Sequence, residues 1–137
     1  MKKYVLTGMF IICGLLAKSQ ADSDGCAKFK TGQFAYTDDS ARTFVIKRTG
    51  RIQEETEQGK NIITRSRIRW ISPCNYELKQ LWSNSKVKRK NNGVVTSVII
   101  THAGNDEYNY SCNCKNLAED KKIKGTVYKL GAEQKRN

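Results

Sequence analysis

Arg65, Arg67 and Arg69 alternate with Ser66, Ile68 and Trp70, so a single strand would send three guanidinium groups out of one face in a row. Arginine grips carboxylate, sulfate or phosphate through paired N–H donors. The row therefore reads either as an anion-binding strip or as the solvent face of a strand whose other side is core. Lys86, Lys88, Arg89 and Lys90 add a second basic cluster at a hairpin end. The aromatics Phe34, Phe44, Trp70, Tyr76 and Trp82 follow the apolar alternation. On that face they would form a core or line a cavity for an amphiphilic small ligand, with an arginine anchoring its headgroup. Specific nucleic-acid binding is not expected, because it wants exposed aromatics interleaved with the basic groups.

His102 is the only histidine, and with Cys112 and Cys114 it raises the question of a metal site. If Asn105-Asp106 is a hairpin tip, Cys112 falls opposite Ile99 and Cys114 opposite Ser97. His102 then lies about 10 Å from either sulfur at strand rise, and on the other face. Zinc needs its sulfur and nitrogen ligands at about 2.0–2.3 Å, so no metal is expected. A nucleophilic triad needs a base within reach of a serine or cysteine, and no glycine-flanked serine elbow accompanies this one histidine. The acidic residues are bunched at Glu54, Glu55 and Glu57 or sit in turns such as Asp38-Asp39 and Asp106-Glu107. No phosphate-cradling loop is present. The expectation is a protein that is not an enzyme and carries no cofactor.

The elements that would position these groups have a hydrophobic period of two. Strands are expected near 30–37, 42–48, 51–57, 62–72, through Tyr76, Leu78 and Trp82, then near 94–102, 107–114 and 124–130. Pro73, the only proline, closes the fourth. A single helical turn is expected at Asn116 to Lys122, and residues 131–137 read as a polar tail. About eight short strands would leave long edges in an open sheet. The expected fold is all-β, a small antiparallel up-and-down meander in a closed or nearly closed barrel, with a two-sheet sandwich as the alternative.

Residues 1–21 read as a secretory signal: Lys2 and Lys3, an apolar run from Tyr4 to Ala17, and small residues before a cut at Ala21. Export to the periplasm or beyond follows, as one monomeric barrel domain over 22–130 with no transmembrane segment in its mature form. Lipidation at Cys26 is not favoured. The full chain carries +12; without Lys2, Lys3 and Lys18 its 25 basic residues fall to 22 against 13 acidic, or +9. That excess favours anionic partners, including polyanions, lipid headgroups or an envelope protein. Cys26, Cys74, Cys112 and Cys114 suit a disulfide framework. A Cys26–Cys74 bond would tie the N-terminus to the middle of the sheet, with Cys112 and Cys114 paired together or free. A crossed pairing remains open.

Cys26-x-x-Phe29, Thr31-Gly32-Gln33-Phe34, Arg48 to Gln53 and Arg69-Trp70-x-x-x-Cys74-x-Tyr76-x-Leu78 together resemble a group of short secreted bacterial proteins. These often carry the transferred name "DNA topoisomerase IV", an activity for which this chain has no room. The resemblance spans Cys26 to Leu81 and implies that Cys26 pairs with Cys74. Gly32-Gln33-Phe34 is also similar to the opening of lipocalin-type barrels, which implies an eight-stranded ligand carrier. Two functions are therefore expected of different kinds: carriage of an apolar or amphiphilic ligand, or docking of a basic surface on an anionic partner.

Overall fold

The computed structural model describes residues 23–114 and 122–131. The expected leader, the turn at Asn116 to Lys122 and the polar tail lie outside these residues, except for Lys122 and Gly131 at their edges. Eight strands follow one another: β1 (Gly32–Thr37), β2 (Thr43–Arg48), β3 (Ile52–Glu57), β4 (Ile62–Ser72), β5 (Asn75–Ser83), β6 (Val95–Ala103), β7 (Glu107–Cys112) and β8 (Ile123–Lys129). Each pairs antiparallel with the next, and β1 with β8 through Phe34 opposite Lys129 and Ala35 opposite Tyr128, so the barrel closes. The chain is all-β and up-and-down, not a two-sheet sandwich, because the closing ladder leaves no second sheet to stack.

Alternation sends Phe34, Ile46, Ile68, Tyr76, Val98, Ile100, Tyr108 and Val127 inward from successive strands into one core. Burying a side chain such as Phe34 stabilises by roughly 1.5–3 kcal/mol relative to leaving it in water. Gly125 stands opposite Tyr110, and a Cβ there would meet the Tyr110 hydroxyl oxygen at 2.8 Å. A glycine at that position lets the Tyr110 ring lie flat against β8.

Two of the three register shifts in the ladders bear on residues singled out in the sequence. In β4–β5, Arg65 pairs with Trp82 but Ser66 pairs with Gln80, leaving Leu81 as the extra residue. Trp82 thereby joins the outer face and is 43% exposed, contrary to its expected place on the apolar side. In β6–β7, Thr101 is the extra residue, so Cys112 lies opposite Val98 instead of Ile99.

A short helix that the sequence pattern did not disclose, α1 (Ser23–Ala27), covers the lower end of the barrel. Five residues are too few to show a helical period. The Cys26–Cys74 disulfide links it to the β4–β5 turn, with Cα atoms 5.3 Å apart. Phe29, just beyond it, is fully buried, its ring centroid 4.9 Å from that of Tyr108. Cys112 and Cys114 stand within disulfide reach at the upper end of β7, so the crossed pairings are set aside. Cysteines at disulfide distance are compatible with an exported protein. Among the described residues no helix is long and apolar enough to cross a membrane.

Candidate functional site

The barrel interior has two halves, and β2 and β3 supply Arg48 to the lower one and Glu55 to the upper one. β2 turns Phe44, Ile46 and Arg48 inward. β3 is polar at five of its six positions, so whichever face it turns to the lumen carries polar groups; the observed register sends in Gln53, Glu55 and Glu57.

Arg48 sits at the lower end and is 2% exposed. Its Nε donates to Gln53 Oε1 at 3.0 Å and its Nη1 to the Phe29 carbonyl at 2.7 Å. Nη2 donates to the hydroxyls of Tyr76 and Tyr108 at 3.2 and 3.1 Å. Aromatic rings enclose the guanidinium, with Cζ 4.9 Å from the Tyr76 centroid and 5.1 Å from that of Phe34. No carboxylate lies within ion-pair distance of it among the described residues. Burial works against its charge, yet the two tyrosine hydroxyls outweigh that and its pKa is raised. Burial likewise pushes the Tyr76 phenol well above its ordinary value, so this hydroxyl stays neutral as a partner. Arg48 therefore closes the floor: its donors are engaged with Gln53, the N-terminal segment and the two tyrosines, and none of it lines the space above.

Above this floor the lumen opens into a cavity of about 620 Å³, walled by Tyr36, Gln53, Glu55, Thr64, Ser66 and Gln80, with Leu78, Val94 and Val95 on one side. A deeper space of about 100 Å³ continues down to Ile46, Tyr76, Val98 and Tyr108. Glu55 is the ionisable carboxyl of this wall. Burial raises its pKa, opposed by the Lys88 ammonium and a hydrogen bond from Tyr36. The phenol of Tyr36 is raised by burial and by Glu55; that of Tyr110, across the lumen, is pushed up to about 12, mainly by burial. Asn113 Oδ1, also in the wall, is buried and finds no donor among the described residues. Glu55 and Asn113 both line this space, with Glu55 accepting from Tyr36 and the Asn113 oxygen buried behind the surface of the wall. Nearer the mouth Glu57 is occupied: Lys60 Nζ lies 2.8 Å away and holds its carboxylate below the usual range, and Lys88 Nζ lies at 3.6 Å.

The residues singled out in the sequence are distributed differently. Arg65, Arg67 and Arg69 all face solvent. Arg65 pairs with Glu54 and Arg69 with Glu77, each at 2.7 Å, so two of the three are neutralised. Arg67 stands beside Lys79 across the ladder. Trp70 and Tyr76 point inward with ring centroids 4.8 Å apart, packed into the sealed half. Trp82 lies outside beneath the Arg65 guanidinium, 5.5 Å from Cζ. Phe34 and Phe44 point inward without lining the cavity. His102 is exposed opposite Asn109, whereas Cys112 is buried. Neither Arg48 nor Glu55 was singled out from the sequence.

Fold and lumen together define a small eight-stranded barrel with a sealed aromatic floor and an open, hydrogen-bonding cup. No family model, curated protein or solved structure matches the chain.

Proposed function

We propose that this is an exported, non-enzymatic carrier of an amphiphilic small molecule held in the upper half of the barrel. The observation that supports this reading is the cavity of about 620 Å³ with a closed floor and an open mouth, a size in the usual range for small-molecule sites. The wall favours an amphiphile over a wholly apolar ligand. An apolar molecule would strip water from the Glu55 carboxyl without replacing its hydrogen bonds, which costs roughly 1–3 kcal/mol for a group left unpaired. A ligand that donates to Glu55 meets that demand, and its apolar part packs against Leu78, Val94 and Val95. Pairing of Arg65 and Arg69 with carboxylates removes most of the support for the arginine row as an anion strip.

The test is an intact native mass of the protein purified from its own host, compared with its denatured mass. A difference of a few hundred daltons that vanishes on denaturation is the expected result. Equal masses, together with no uptake of amphiphilic dyes by the purified protein, overturn the carrier reading.

A further inference from the structure

The β5–β6 corner of the mouth has a composition found nowhere else in the chain. From Leu78 to Asn105 there are five basic residues and no acidic one. The connection between the strands folds into a 3-10 turn at Lys88–Asn91, and its backbone is pinned. Gln80 Nε2 donates to the Lys88 carbonyl at 2.6 Å and to Asn92 Oδ1 at 2.9 Å. Arg89 N donates to Ser85 O, and Gly93 N to Gln80 O. Lys88 turns inward to Glu57 and over the Phe44 ring. Its neighbours Lys86, Arg89 and Lys90 are exposed, with no acidic partner among the described residues.

Apolar side chains emerge beside them. Val87 at the tip is 75% exposed, and Leu81, Trp82, Val94 and Val95 are exposed where the two strands reach the rim. A solvated hairpin has no need of five exposed apolar groups. Cations flanking apolar tips on one pinned loop match a surface whose outer layer is anionic and whose interior is hydrocarbon. A soluble polyanion offers only the first of these. The opposite side of the mouth carries the β1–β2 loop, where Asp38 is bound to Arg42 at 2.6 Å, so the cationic and apolar character belongs to one corner.

We infer that the β5–β6 corner docks the barrel on an anionic lipid bilayer, with Val87 and Trp82 entering the headgroup layer and Lys86, Arg89 and Lys90 meeting the phosphates. Val94 and Val95 belong both to this corner and to the cavity wall, so docking sets the mouth against the membrane. This inference does not depend on the cavity being filled.

It is tested by co-sedimentation of the mature protein with phosphatidylcholine vesicles, with and without 30% phosphatidylglycerol, and by tryptophan fluorescence. Association with the anionic vesicles alone is expected, weakened by salt, with a blue shift that Trp82→Phe abolishes. Each basic group near an anionic surface contributes about 1 kcal/mol; neutralising Lys86, Arg89 and Lys90 to Gln should therefore weaken binding on the order of 100-fold. These side chains are solvent-exposed, so an unchanged melting temperature is the control. Absence of association at low salt overturns the inference, as does undiminished binding by the triple variant. Salt-sensitive binding without the fluorescence shift, equalled by heparin, overturns it in favour of a plain polyanion surface. Equal native and denatured masses would sink the carrier reading and leave this one standing.

Discussion

The two ends of the barrel are built by the same eight strands and the same alternation, yet one is filled and the other open. Below, α1, Phe29, Phe34, Tyr76 and Tyr108 pack around Arg48, and each donor of that arginine used in the seal has a named acceptor within 3.2 Å. Above, Glu55, Gln53, Thr64 and Ser66 line an open cavity. An interior cation whose bonds all run to the fold is a structural device. An interior carboxyl whose neighbours leave it space is a device for something else. On the carrier reading proposed above, the contrast assigns stability to one half of the lumen and ligand binding to the other.

The strongest way to break this comparison is Arg48→Met. It fills a similar volume but strands the Gln53 oxygen and the Phe29 carbonyl, each costing roughly 1–3 kcal/mol when left unpaired, and leaves the Tyr76 and Tyr108 hydroxyls only each other, 3.2 Å apart. A loss of about 3–5 kcal/mol in urea unfolding is expected, less than the plain sum because the groups share one site. A loss under about 1 kcal/mol would mean the seal is not what holds the lower end. Next in size is the bond that fastens the plug. Cys26 and Cys74 are 48 residues apart, so opening the link with the Cys26→Ser/Cys74→Ser pair should cost about 2–4 kcal/mol. In that variant amide exchange should rise first at the Phe29 end and leave the strands of the upper cup protected. Uniform loss of protection would show that the two ends unfold as one.

Most of the barrel was legible in the sequence, because a period of two and regularly spaced turns allow little else for a chain of this size. The strand bounds agree to within two residues almost throughout. The errors fall where the period breaks without a compositional sign. Leu81 and Thr101 are ordinary strand residues, and nothing marks them as bulges, so Trp82 was expected inside and Cys112 one partner away from its true one. The lumen was harder to read. A charged residue in a strand ordinarily faces water, which is why Arg65, Arg67 and Arg69 drew notice and Arg48 did not. The signal available was β3 itself. With Gln53, Glu54, Glu55, Thr56 and Glu57 in succession, either register of a closed barrel places a carboxyl inside, and an interior carboxyl implies a polar lumen.

That carboxyl sharpens the comparison with the smallest effect. Burial raises the Glu55 pKa above its ordinary value of 4.5. As pH rises through that value, the unfolded chain releases its proton before the folded protein does, so stability falls with rising pH until the folded carboxyl also ionises. Below 4.5 both states hold the proton and the penalty disappears. Glu55→Gln cannot ionise, so it should flatten this slope and leave the protein slightly more stable than wild type at neutral pH, while weakening retention of the bound amphiphile. Urea midpoints of both proteins between pH 4 and 8 measure the effect. A group kept for binding at the expense of stability behaves in this way. If Glu55→Gln instead lowers the midpoint at neutral pH, then Glu55 is held by the fold as Arg48 is, and the upper end is a second structural core.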